Sequence, residues 1–323
     1  MSEQLQSDFD KIIKTSTFSN EEIQSKKFFL KKFIENGFPN RKQEDWKFLD
    51  ISQIIKKNIS DLSFFNDYSL PNKIDPSIFV DGLEHNKIIF INGRIEKIDF
   101  SYEDQNKIEI KDEIEKNISF DYENSLIDLN SAFINKVFKI IVNKNYSLKK
   151  PLIIYHSTND TVKSTNVNLR LDFELGENSC LRLIDFFTDN TNKNFINIFY
   201  NFNLLKDSIL KNYKIDKFKN DNLKYSFNNI EQGNNSVSET FILSAGSDYF
   251  KNEINCNLNG EYSSAFINGV FSLKENQQHE IRTTINHLVE NTKSYQLIKS
   301  VLGKEAKSAY QGKIFVNSKA QKT

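Results

Sequence analysis

The chain has 323 residues, and its 43 basic and 43 acidic side chains cancel, which gives no electrostatic reason to expect nucleic acid or an anionic membrane as a general partner. Its two cysteines, Cys180 and Cys256, are too few for a disulfide framework and lack CxxC spacing. No run approaches the roughly 18 apolar residues of a membrane span, and the polar first eighteen residues lack the apolar centre of a signal peptide, so a cytoplasmic protein is expected.

In chain order, residues 1–18 read as a loosely ordered lead-in, with Phe9, Ile12 and Ile13 offering at most a short amphipathic helix. Ser19-Asn20-Glu21-Glu22 is an S-x-x-E capping box, and the helix it opens presents Ile23, Leu30, Phe33 and Ile34. Gly37 stops that helix and Pro39 prevents its restart. A second helix is expected from about Gln43, with Trp46, Leu49 and Ile54 on one side and Lys56-Lys57 at its end. The aperiodic, proline-flanked stretch Pro71-Asn72-Lys73-Ile74-Asp75-Pro76 reads as a linker. Lys87 to Ile91 is an apolar strand running into an Asn92-Gly93 turn. Phe138–Val142 and Pro151–Tyr155 read as paired strands.

From Val167 to Val316 the pattern is strand after strand. Leu169, Leu171, Phe173 and Leu175 alternate with Arg170, Asp172 and Glu174, the period of a strand with one buried face. The same parity returns at Ile196, Ile198, Tyr200, Phe202 and Leu204, and again at Phe250, Ile254, Cys256 and Leu258. Eleven strand centres fall near residues 171, 183, 198, 213, 227, 240, 254, 267, 283, 298 and 313, a spacing of roughly 12 to 16 that suits repeating β units. Few of the connections carry the tight hairpin signals of a sandwich. The reading is therefore mainly β, a β-solenoid filled largely by its 28 phenylalanines.

Several stretches carry a family resemblance. Phe38-Pro39-Asn40-Arg41-Lys42-Gln43-Glu44-Asp45-Trp46-Lys47-Phe48 resembles an N-terminal signature of a proline, basic residues and Glu-x-Trp-Lys-aromatic. The Asn92-Gly93 strand end and Asp128-Leu129-Asn130-Ser131-Ala132-Phe133 have counterparts in the same family. So do His287 to Gln296 (H-x4-T-x-S-x-Q), Ala309 to Val316 (aromatic-x-G-K-I-x-V) and Ala320-Gln321-Lys322-Thr323. Together and in order these resemble the SufB/SufD family of the SUF iron-sulfur cluster assembly system, the N-terminal signature favouring its SufD branch.

The resemblance implies a right-handed parallel β-helix core over 85–323, preceded by a helical region and linker over 1–84. It implies a non-catalytic scaffold subunit that forms a heterodimer with the SufB paralogue and works with the SufC ATPase. The chain alone would hold no cofactor, the iron-sulfur cluster being carried transiently by the full complex. The sequence ends directly after A-Q-K-T, before the family's S-H-G-A histidine and the helical region that docks SufC, so a C-terminally truncated chain is expected, with a sticky last coil at Tyr310, Ile314 and Phe315. The rival class is a β-helix polysaccharide lyase or hydrolase, and the SufB paralogue is the alternative within the family.

The sequence points to no catalytic and no metal-binding residue. His279 and His287 share one strand parity, but eight strand residues hold them roughly 26 Å apart, too far to clasp one ion. His287 is expected at a corner, bonded to backbone. His85 and His156 flank strands without a Cys, His or carboxylate at ligand spacing. Cys256, between Ile254 and Leu258, reads as core packing. Cys180 reads as structural although Arg182 could favour its thiolate. Asp185 and Glu239 read as scattered carboxylates, and no P-loop, nucleophile elbow or GxGxxG occurs.

Overall fold

A computed structural model describes residues 2–59, 61–66, 74, 76–113, 124–188, 193–217 and 220–321. Most of the proline-flanked linker, as well as Lys322 and Thr323, lies outside the described residues.

Among the described residues sixteen strands build the body: β1 (Asn86–Ile91), β2 (Arg94–Asp99), β3 (Ile108–Glu113), β4 (Val137–Val142), β5 (Leu152–Ser157), β6 (Asn166–Leu175), β7 (Cys180–Phe187), β8 (Phe195–Leu204), β9 (Ile209–Asp216), β10 (Asn220–Gln232), β11 (Val237–Ser244), β12 (Ser247–Leu258), β13 (Ser264–Leu273), β14 (Gln278–His287), β15 (Lys293–Leu302) and β16 (Lys307–Val316). All eleven strands expected between Val167 and Val316 are present. They pair by alternation. One sheet runs β15-β13-β11-β9-β7-β5-β1-β2 and the other β16-β14-β12-β10-β8-β6-β4-β3. Each coil gives one strand to each wall, and every pair beyond the first coil is parallel, as in Ile198↔Ser226 and Ile254↔Thr283, with one register shift at the start of β10 against β12. This is a β-solenoid of about six turns. Phe138–Val142 and Pro151–Tyr155, expected as a pair, lie in opposite walls: β4 pairs with β6 and β3, β5 with β1 and β7. Two apolar strands in series look like a hairpin in sequence, but the 143–151 connection crosses between sheets.

The interior follows the predicted parity. Ile254, Cys256 and Leu258 are buried in one cluster with Leu169, Leu171, Phe173, Ile198 and Phe202. At the corner leading from the second wall to the first, each coil places one residue in the left-handed region: Asn145, Asn178, Asp207, Asn235, Tyr262 and Asn291, with φ between 54° and 62°. In four of the six the next residue then turns a hydroxyl back to the carbonyl three positions earlier: Ser208 Oγ to Leu205 O at 2.6 Å, Ser236 Oγ to Gly233 O at 2.8 Å, Ser263 Oγ to Gly260 O at 2.7 Å and Thr292 Oγ1 to Val289 O at 3.2 Å. Coils approach so closely there that a Cβ added at Gly260 would fall 2.1 Å from Asn234 N. On the outer face of the second wall, amides form a ladder across coils: Asn229 donates to Asn201 at 3.0 Å, Asn255 to Asn229 at 3.0 Å and Asn286 to Asn255 at 3.2 Å.

Helices cover part of that wall. They are α1 (Ser2–Thr15), α2 (Asn20–Asn36), α3 (Ile51–Asn58) and α4 (Ser125–Phe133). The capping box is formed, Glu22 N donating to Ser19 Oγ at 3.2 Å and Ser19 N to Glu22 Oε2 at 2.7 Å, and Gly37 ends α2 at φ 67°. Its buried stripe is Lys26, Phe29, Leu30 and Phe33, whereas Ile34 is 42% exposed. Lys26 explains the rotation: its ammonium donates to the carbonyls of Ile134 and Ser131, groups at the end of α4 that helix geometry leaves open. The first residues are more ordered than expected, since α1 buries Leu5, Phe9 and Ile12, and Asp8 accepts from Phe64 N at 2.9 Å. The expected second helix is two pieces, a 3-10 turn at Glu44–Trp46 and α3 capped by Asp50. Outward Phe195, Phe199, Leu223, Tyr225 and Phe227 complete the helical cluster. Strand β8 is thus apolar on both faces, whereas β10 turns Lys224, Ser226 and Asn228 inward beside Ile230. A third cluster lies outside the first wall, where Ile89, Ile91, Ile153, Tyr155 and Phe186 meet Ile74, Phe79 and Val80.

Candidate functional site

Inside the solenoid the apolar filling gives way to charge. Register stacks Ile154, Asp185, Lys214 and Ile242 on successive coils of the first wall, so Asp185 and Lys214 are neighbours one strand spacing apart, roughly 4.8 Å. Lys214 Nζ lies 2.7 Å from Asp185 Oδ2 and His156 Nε2 lies 2.5 Å from Oδ1. From the opposite wall the Tyr200 hydroxyl donates to Asp185 Oδ2 at 2.6 Å and stands 3.1 Å from His156 Nε2. The Lys214 ammonium also sits 3.7 Å from the centroid of the Tyr200 ring. His156 is sandwiched by Phe90 and Phe187, at 5.8 and 4.7 Å. Burial pushes the Asp185 carboxyl up, but Lys214 and His156 outweigh it and hold the group ionised, well below the usual carboxylate range. Burial and then Asp185 push the Tyr200 phenol up.

A second constellation adjoins it. Asp216 accepts from Lys224 Nζ at 2.7 Å and from Ser247 N at 3.0 Å and Oγ at 2.9 Å, and Lys224 stands 4.1 Å from the Phe187 ring centroid. His279 contacts Ser244 Oγ through Nδ1 at 2.7 Å and the Ser247 carbonyl through Nε2 at 2.6 Å. A carbonyl only accepts, so Nε2 carries the proton and Nδ1 accepts from Ser244. Burial lowers the His279 imidazole, keeping it neutral. Ser244 and His279 are not a hydrolytic pair, because Nε2 is spent on a carbonyl, no carboxylate orients the ring, and both residues are buried. Further along, Gln232 Oε1 accepts from Ser238 Oγ at 2.8 Å and from Cys256 Sγ at 3.1 Å.

A small cleft of about 30 Å³, lined among others by His156, Ser157, Thr158, Thr188 and Asn222 over an apolar floor, opens beside the first constellation; it holds one or two waters. Among the described residues no group of three or more His, Cys, Asp or Glu is placed to hold a metal ion, and no helix is long and apolar enough to cross a membrane.

The SUF system FeS cluster assembly SufBD core domain is matched by residues 156–323, which take in the coils from His156 onward. The chain belongs to the SufB/SufD family. Over 302 residues this SufBD protein is 22% identical to the iron-sulfur cluster assembly protein SufD of Escherichia coli (strain K12), a match covering 91% of this chain and 70% of that relative. It is a SufD-like protein of the SUF system of iron-sulfur cluster assembly.

Against the sequence reading, the SufBD coils bring together what looked scattered. His156 was read as lacking a carboxylate at ligand spacing, and it has one, Asp185, a full coil away. Glu239 stays apart, paired at the surface with Lys211 at 3.2 Å. His279 and His287 sit at opposite ends of β14, and the His287 ring bonds the hydroxyls of Thr292 and Ser294 at 2.7 and 3.0 Å rather than backbone. His85 bonds the Leu83 carbonyl and the Tyr155 hydroxyl. Cys256 is buried as expected, its thiol pushed up to about 12 by burial and therefore un-ionised at neutral pH. For Cys180, burial outweighs Arg182 and raises the thiol, which reverses the expected help toward a thiolate.

Proposed function

We propose that this chain is a non-catalytic scaffold subunit of a SUF assembly complex, pairing with a SufB-type paralogue through its β-solenoid and working beside a SufC-type ATPase. The iron-sulfur cluster is then cargo of the assembled complex and not a group this chain holds alone. The observation that carries the reading is the family match over the coils from His156 onward, extended through the helical layer by the SufD relative. The interior chemistry supports it: the buried Asp185 and Asp216 are each held by a lysine, Lys214 and Lys224, and the Cys256 thiol is un-ionised and enclosed.

The test is co-expression with a SufB-type subunit followed by size-exclusion chromatography, alongside ATPase and polysaccharide-cleavage assays on the purified chain. A co-eluting heterodimer and the absence of turnover are the expected results. Robust cleavage of a pectin-like polymer, or a chain that stays separate from SufB-type partners, refutes the assignment.

A further inference from the structure

The motif segment 38–48 does more than pack Trp46. Where it meets the starts of β14 and β16, Arg41, Lys47, Gln278, Glu280, Lys307 and Ser308 line a pocket of about 350 Å³, with Phe48, Leu49 and Ala309 as apolar wall. That volume is in the range of small-molecule sites.

The pocket is built on a buried charge network. Lys251, fully buried, lies 2.6 Å from Glu280 Oε1 and 3.5 Å from Glu253 Oε1, donates to the Asp45 carbonyl at 2.5 Å, and stands 4.2 Å from the Trp46 ring centroid. Arg282 bridges Asp45 at 2.6 Å and Glu253 at 3.6 Å. Two buried carboxyls therefore share the Lys251 ammonium and an Arg282 guanidinium that is also committed to Asp45. Burial raises both Glu253 and Glu280, only partly offset by Lys251 and Arg282. Glu280 is 1% exposed, and its Oε2 has no hydrogen-bond partner among the described residues. An unmet oxygen at that depth costs stability unless something answers it.

The remaining groups are donors. Among the described residues Arg41 and Lys307 have no acid partner, while Lys47 is held by Glu44 at 2.6 Å. A guanidinium, two ammonium groups, a hydroxyl and a buried carboxyl oxygen without a hydrogen-bond partner, Glu280 Oε2, around one small volume fit a ligand that offers several acceptor oxygens and multiple negative charge, and a planar guanidinium matches two phosphate oxygens at once. We propose that this pocket between segment 41–49 and the starts of β14 and β16 binds a small phosphate monoester, with Arg41 and Lys307 clamping the phosphate and Glu280 donating to one of its oxygens.

Calorimetric titration of the full chain with glycerol 3-phosphate, inorganic phosphate and citrate at matched ionic strength tests this. The expected result is saturable one-site binding of glycerol 3-phosphate, weakened at least about tenfold by Arg41→Ala or Lys307→Ala, since each removes a charge-assisted contact. Both residues are exposed, so both variants fold and melt as the parent does. Glu280→Gln keeps a donor at the same place and holds affinity within about threefold of the parent, a difference smaller than one ordinary hydrogen bond. Lys14→Ala, at the end of α1, leaves binding unchanged. Absence of saturable binding, equal weakening by Lys14→Ala, or citrate binding as tightly as the phosphates overturns the proposal.

Discussion

Asp185→Asn isolates the energetics of the charged interior. The substitution keeps size and one acceptor but removes the charge that compensates Lys214, a residue 3% exposed whose ammonium is 2.7 Å away. Breaking a buried pair from one side costs about 3–5 kcal/mol, because the surviving charge is left without compensation. A domain's whole stability is about 5–15 kcal/mol, and at about 2–4 °C per kcal/mol the melting point falls by roughly 10 °C. Replacing both partners with apolar residues of similar length, Asp185→Leu with Lys214→Met, removes the uncompensated charge and recovers at least about half of that loss. Circular-dichroism melting gives the global loss. Native-state hydrogen exchange over 181–187 and 209–216 shows whether it is local to those coils. A single variant within about 1 kcal/mol of the parent, or a double variant worse than the sum of the two singles, refutes the account.

Trp46→Ala removes a ring 5% exposed that packs against Tyr225 at 5.4 Å and against Lys251; a loss of about 3–5 kcal/mol is expected in denaturant unfolding. Tyr262 occupies the left-handed corner position that Asn fills in four of the other five coils, so Tyr262→Asn raises stability by about 0.5–1 kcal/mol in the same assay. Neutral, buried His279 gives a pH signature. Below its ordinary value of 6.5 the unfolded chain takes up a proton there that the folded chain refuses, so stability falls as pH falls. His279→Gln lowers that slope by up to about 1.4 kcal/mol per pH unit between pH 6.5 and 5.5, measured as melting point against pH; His85 and His287, also lowered by burial, keep part of the trend.

The walls of the solenoid could be read from sequence because a period of two along each strand has one physical cause, a face turned inward, and that cause acts within ten residues. The stop at Gly37 and the box at Ser19 are local for the same reason. What could not be read depends on register between coils. Asp185 meets His156 across 29 residues and Tyr200 across the opposite wall, and no local pattern encodes which rungs stack. A signal was nonetheless present: His156, Asp185, Lys214 and Asp216 all occupy the inward parity of their strands, where an unpaired charge is too costly to keep. The corner rule escaped for another reason. Its constant is a backbone conformation followed by a hydroxyl, and Asn, Asp and Tyr all satisfy the first part. The broken helix at 43–58 and the outward turn of Ile34 follow from Lys251 and Lys26, whose partners lie far away in sequence.

The stacked left-handed corner makes the two edges of the solenoid unequal hosts for added sequence. Along the corner edge the first connection, 143–151, is longer, but from β6 onward 176–179, 205–208, 233–236, 259–263 and 288–292 hold to four or five residues, since each must reproduce one turn and fit against the coil before it. The opposite connections run from eight residues at 158–165 to two at 245–246, and only the last two, 274–277 and 303–306, settle to four residues with Glu275 and Lys304 left-handed. A loop grafted on that second edge leaves every rung where it was. The same residues added at the corner edge would shift all later inward positions by one parity or shear the coils apart. Variation and new recognition loops therefore have one permissive side on which to accumulate, and the fold can acquire them without retuning its charged interior.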